Sequence, residues 1–204
     1  MSRWTEPLLA LATDPKISAA RYGFVKGRTG GAQYPNPQGW AWPVSAYTNC
    51  VTWVVQALHL GRRMLGDDTP LTFADWQLGL QWAGEDERGA VLMAHRWGVA
   101  TEPAKGWSEP PIPGQWYVCQ GHRASGGGHA FLALAHAGGL VILEANGVPS
   151  GGAVLGGLDG VGSRCATPRC ARDWPSGNWP PHLAPLSVAT VEGYYDTLWT
   201  ARLT

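Results

Sequence analysis

Charge is scarce in this chain. Asp, Glu, Lys and Arg make up only 15% of its 204 residues, and the formal net charge is zero. That balance excludes a basic nucleic-acid groove and an acidic tail. Long hydrophobic runs are missing too: no stretch approaches the roughly 18 apolar residues that a bilayer-spanning helix needs. The N-terminal run "PLLALA" is too short for a secretory signal, and charges and a proline follow it at once. The reading is a chain made in the cytoplasm without a signal peptide, with no membrane insertion and no nucleic-acid partner. Cysteine is sparse as well. Four in 204 residues do not form the framework of a disulfide-held fold.

What is present is apolar, small and aromatic. Hydrophobic residues reach 45%, with 28 Gly, 16 Pro and 12 Trp. Such a chain can pack a core, and its glycines and prolines call for many turns. The tryptophans run from Trp4 to Trp199 without a period, so they fill the core and cover loops rather than mark repeats. The length fits a single domain over 1–204.

The hydrophobic pattern changes along the chain. Residues 1–20 contain one short helix, and 21–47 read as a long Gly/Pro/aromatic loop. A helix is expected over about 49–65, and a second helical region over 69–98, split near Gly84. The runs "QWYVCQ" (115–120), "HAFLALAH" (129–136) and "LVILEAN" (140–146) read as strands, with "HAGGL" as a hairpin turn. One more strand or short helix is expected near "SVATVEGYYDTLWTARL". Helices followed by an antiparallel sheet give an α+β fold.

Within "SAYTNCVTWVVQALHLG", Thr48 or Asn49 can cap a helix, and Val51, Val54, Val55 and Leu58 form its buried stripe. Cys50 then lies in the first turn, flanking that stripe. Unpaired N–H groups and the positive end of the helix dipole favour a thiolate there, and the same N–H groups can hold an oxyanion. A cysteine so placed becomes a nucleophile only with a histidine beside it. Of the six histidines, His59 and His95 lie in helical segments and read as surface or packing residues, and His136 and His182 lie near turns and prolines. His129 follows three glycines and opens a strand. Gly128 leaves the ring uncrowded and lets a substrate chain come close.

Strand parity adds a third group. With Gly138 and Gly139 as a two-residue turn, Ala133 pairs with Glu144 and Phe131 with Asn146. His129 then shares a face with both polar residues. Asn146 is its diagonal neighbour, and a turn shifted by one residue would place Asn146 directly opposite. Glu144 lies farther along. A separate reading takes Cys119 with His122, and Cys165 with Cys170, as two short pairs of zinc ligands in a non-enzymatic binding module.

The order "YTNCVTWVV", "PIPGQWYVC", "GGHAFLAL", "LVILEANG" resembles the papain-fold cell-wall hydrolases, above all the cysteine, histidine-dependent amidohydrolase/peptidase (CHAP) family and its NlpC-type relatives. The resemblance covers about residues 40–150 and leaves 151–204 as a tail particular to this chain. It implies a papain-like α+β fold, with N-terminal helices packed on a small antiparallel sheet, and needs no cofactor. It also implies roles: Cys50 as nucleophile, His129 as general base, Glu144 as orienting residue and Asn146 as accessory polar residue. Parity prefers Asn146 as the orienting group and the resemblance prefers Glu144; both stay open. Tyr34, Trp40 and Trp42 would line the acceptor cleft or fill the core. The implied activity is amide hydrolysis in peptidoglycan stem peptides or cross-bridges. It would be carried out at the cell wall by a phage lysin or an injected antibacterial effector, with an immunity or delivery protein as a further partner. The same residues would also serve a protease, deamidase or transglutaminase-like enzyme acting on a protein.

Overall fold

The period-two runs after residue 114 form the centre of an antiparallel sheet. The computed structural model describes residues 2–13, 21–22, 47–48, 50–70, 88–124, 128–145, 153–158, 161–165 and 185–204. In chain order these carry α1 (Thr5–Thr13), β1 (Arg21–Tyr22), β2 (Tyr47–Thr48), α2 (Cys50–Met64), α3 (Gly89–Arg96), β3 (Ala104–Lys105), β4 (Trp116–His122), β5 (Gly128–His136), β6 (Gly139–Ala145), β7 (Ala153–Leu158), β8 (Val161–Cys165), α4 (Val188–Gly193) and β9 (Thr197–Arg202). The expected α+β class is met. Residues 71–87, where the second helical region was expected to begin and divide, lie outside the described residues; α3 is its described part.

The sheet is larger than the small one expected. Seven strands run in the order β3-β9-β4-β5-β6-β7-β8, every neighbouring pair antiparallel. The segment beyond residue 150 supplies three of them. β9 lies beside β4 near the middle of the sheet, so the sheet closes only when the far end of the chain returns to it.

Both faces of the central strands are covered, which explains their near-continuous apolar sequences. Even-numbered residues of β4 and β5 (Trp116, Val118, Ala130, Leu132) face a cluster built with α1, α2 and α3. Odd-numbered ones (Tyr117, Cys119, Phe131, Ala133) face a second cluster with Ile142, Val191, Tyr195 and Leu198.

Helix α2 differs from a surface helix with one apolar stripe. Val51, Val54, Val55 and Leu58 are buried as expected, but so are Cys50, Trp53, Gln56, Ala57 and His59. It is a central helix, buried at every described side chain from Cys50 to His59. His59 is accordingly a packing residue, its ring tilted against Trp97. Burial, then the charges of Arg62 and Arg63, lower its pKa to about 4, against a weaker opposing pull from Asp67.

Helix α3 has no side-chain cap of its own; Arg88 at its N-cap makes no such bond. Gln120 of β4 supplies one from across the core, its Oε1 accepting from the Ala90 N–H at 2.8 Å. The bond satisfies the oxygen of a side chain that is only 1% exposed; Nε2 is buried with no partner among the described residues. Gln120→Leu keeps the volume and strands that N–H. Urea unfolding of the variant is expected to show a loss of about 1–3 kcal/mol. A change within a few tenths would mean the cap contributes nothing.

Candidate active site

Cys50 is the first residue of α2 and His129 the second of β5. Residue 49 lies outside the described residues, and Thr48 ends strand β2, so neither proposed cap is seen. The first-turn position of the cysteine stands. Its backbone N–H belongs to the set that a helix cannot satisfy internally.

The β5–β6 hairpin sets the register at the histidine. His136 pairs with Gly139 and Ala133 with Ile142, so the turn is Ala137–Gly138 and not Gly138–Gly139. One step beyond Leu132↔Leu143, Glu144 comes across from Phe131, diagonal to His129. Glu144 was expected farther off. The parity survives, because the turn moved by one residue on each strand. Asn146 lies outside the described residues, as do Tyr34, Trp40, Trp42 and Cys170.

The geometry joins three of the expected residues. His129 Nε2 lies 2.5 Å from Glu144 Oε2. The ring also hydrogen-bonds the Cys50 side chain. Glu144 is 0% exposed, Cys50 1% and His129 5%. Gly128 is half-buried, opposite His122.

Burial alone would drive His129 toward its neutral form, and burial is the largest single influence on it. The Glu144 charge, the hydrogen bonds to Cys50 and Glu144, and the charge of Cys50 together outweigh it. The pKa is pushed up to about 10. A hydrogen bond that strengthens the ring's hold on its proton is one in which the ring donates. The ring therefore holds its proton at neutral pH, between the Cys50 side chain and the Glu144 carboxylate.

Sequence reasoning missed Tyr195. His129 stacks on Phe131 (centroids 5.7 Å, planes 23° apart), and Phe131 stacks on Tyr195 (5.9 Å, 17°). The signal available was faint: a Gly at 121, directly across from His129, where a side chain would collide with the Tyr195 ring.

The other cysteines part from the zinc reading. Cys119 and His122 are three apart on one strand and so point to opposite faces. Cys119 is fully buried among apolar side chains, and that burial holds its thiol protonated. Cys165 ends β8. Among the described residues no three His, Cys, Asp or Glu side chains gather as a metal site. A cleft of about 260 Å³ beside Trp107, Tyr117 and Arg202 lies toward the other end of β4, four residues or about 13 Å from Gly121. It does not touch the three residues.

No protein-family model, curated protein or solved structure matches this chain. The functional reading therefore rests on the geometry and on the sequence motifs.

The His129 pKa makes a stability prediction. A pKa raised on folding adds stability that is complete below the unfolded value of about 6.5 and is lost as pH rises through about 10. The unfolding free energy should decline across that window. Glu144→Gln, which removes the charge and keeps the shape, should flatten much of the decline and lower stability at pH 6. Parallel slopes for the two proteins would contradict the pairing.

Proposed function

We propose that the protein is a cysteine amide hydrolase of the papain-like, CHAP/NlpC type. In this reading it cleaves amide bonds in peptidoglycan stem peptides or cross-bridges, as a phage lysin or an injected antibacterial effector. One observation carries it: a buried Cys50–His129–Glu144 chain in which the histidine holds its proton between a sulfur and a carboxylate.

The steps follow from that chain. The Cys50 thiolate attacks the carbonyl carbon, and the oxygen takes the negative charge. The first-turn N–H of Cys50 donates to that oxygen. The C–N bond breaks as His129 gives its proton to the departing amine, leaving a thioester on Cys50. Water attacks the thioester, His129 takes the water's proton, and the acid leaves with thiolate and imidazolium restored. Glu144 fixes the ring orientation and stabilises its charged form through both half-reactions. The substrate class comes from the resemblance of the motifs. No helix among the described residues is long and apolar enough to cross a membrane, and the proposed site of action is the cell wall, reached after lysis or by injection.

Two measurements test the reading. Cys50→Ala should lower release of soluble fragments from purified peptidoglycan by about 10⁴-fold or more while the fold is kept. Activity against a panel of protein substrates, with none on peptidoglycan, would replace the substrate class and leave the chemistry. Iodoacetamide labelling at neutral pH, mapped by mass spectrometry, should modify Cys50 far faster than Cys119. Both are buried, so the contrast reads ionisation rather than exposure. His129→Ala should abolish it. Equal labelling of all four cysteines in the folded protein would overturn the assignment.

A further inference from the structure

Tyr195 belongs to none of the motifs above, and three features set it apart. Its side chain is buried, 6% exposed. Its ring occupies the place left by the missing side chain of Gly121, the residue paired with His129, and completes the stack that runs from His129 through Phe131. Its hydroxyl is buried with no hydrogen-bond partner among the described residues. A buried hydroxyl left without an acceptor destabilises the fold, so a stable core would sooner hold phenylalanine there.

The segment around it is fixed. Asp196 N–H donates to the His122 carbonyl at 2.9 Å, and the Asp196 carboxylate accepts from the Ala124 N–H. Tyr194 packs edge-on against Tyr195 and receives a hydrogen bond from Arg123 at 2.7 Å. The turn that carries Tyr195 is thus clamped to the end of β4 and to the start of the connection leading to His129.

We propose that Tyr195 is a positioning residue of the Cys50–His129–Glu144 site, its hydroxyl dipole stabilising the negative charge on Glu144 and on the Cys50 sulfur. This rests on the cysteine-hydrolase reading. The charged and titratable groups around the phenol agree with the role. Burial most of all, then Glu144, Tyr194 and Cys50, keep the phenol un-ionised, against a smaller opposite influence of Arg123. The hydroxyl bonds to neither Glu144 nor Cys50, so its effect on them is that of a nearby neutral dipole. His129, on the far side of Phe131, supplies the positive charge from the other direction.

The test is the pH profile of Cys50 alkylation by iodoacetamide, from pH 4 to 9, in wild type and Tyr195→Phe. Phenylalanine keeps the ring stack and deletes only the dipole, so a purely structural role would leave the profile in place. The expected result is an acid limb displaced to higher pH, with labelling below the midpoint about tenfold slower and the plateau rate nearly unchanged. Fluorotyrosine at position 195, a stronger donor in the same shape, should displace the limb the other way, and it serves as well if the phenylalanine variant folds poorly. Superimposable profiles would overturn the proposal and leave the hydrolase reading intact. A wild-type profile with the midpoint of an ordinary thiol, near pH 8.5, would overturn both.

Discussion

A carboxylate with no exposure to solvent cannot stay charged in an apolar sheet face unless a cation meets it. Glu144 sits on the face that carries Leu140 and Ile142, and it is fully buried. Its cation is His129, 2.5 Å away. Removing either partner of such a pair costs several kcal/mol, because the remaining charge is left in a medium that cannot solvate it. The pair thus ties the chemistry to the fold. The side chains proposed to break an amide bond also satisfy one another's burial.

The rest of the structure holds this pair in register with a sulfur. β4, β5 and β6 bring Gly121, His129 and Glu144 to neighbouring positions on one face, and α2, enclosed by the opposite cluster, presents Cys50 from its first turn. The order of the sheet extends the dependence to distant parts of the chain. β9 lies against β4 along most of its length, and the turn before β9 places Tyr195 over Gly121. The enclosed helix and the fully paired central strands leave little freedom at the three residues, as a preorganised nucleophilic site requires.

Much of this was legible in the chain. The helix from Cys50 and the strands around Val118, Leu132 and Ile142 follow from spacing alone, and parity placed His129 and Glu144 on one face. The exact pairing did not follow. "HAGGL" accommodates either turn placement, and the choice is made by a remote segment. Leu140 exchanges both backbone hydrogen bonds with Leu186, at 2.7 and 2.9 Å. That bridge holds Gly139 in the strand at φ 137°, against the Leu186 carbonyl, where any side chain would clash. No local pattern around residue 139 announces residue 186. The same applies to Tyr195, which lies 66 positions after its neighbour His129 in the sequence. The enclosure of α2 was hidden for another reason: burial on several sides erases the periodicity that marks a single stripe, and Trp53 and Gln56 do not signal which neighbours will cover them.

The proposed activity depends on the charge state of one imidazole, and that state can be read directly. Nitrogen-15 and proton NMR of the His129 ring, followed from pH 5 to 11, should show both nitrogens protonated through pH 8 and a single titration near pH 10. A ring that loses its proton near pH 6.5, or is neutral throughout, would contradict the charged chain on which the proposed activity depends.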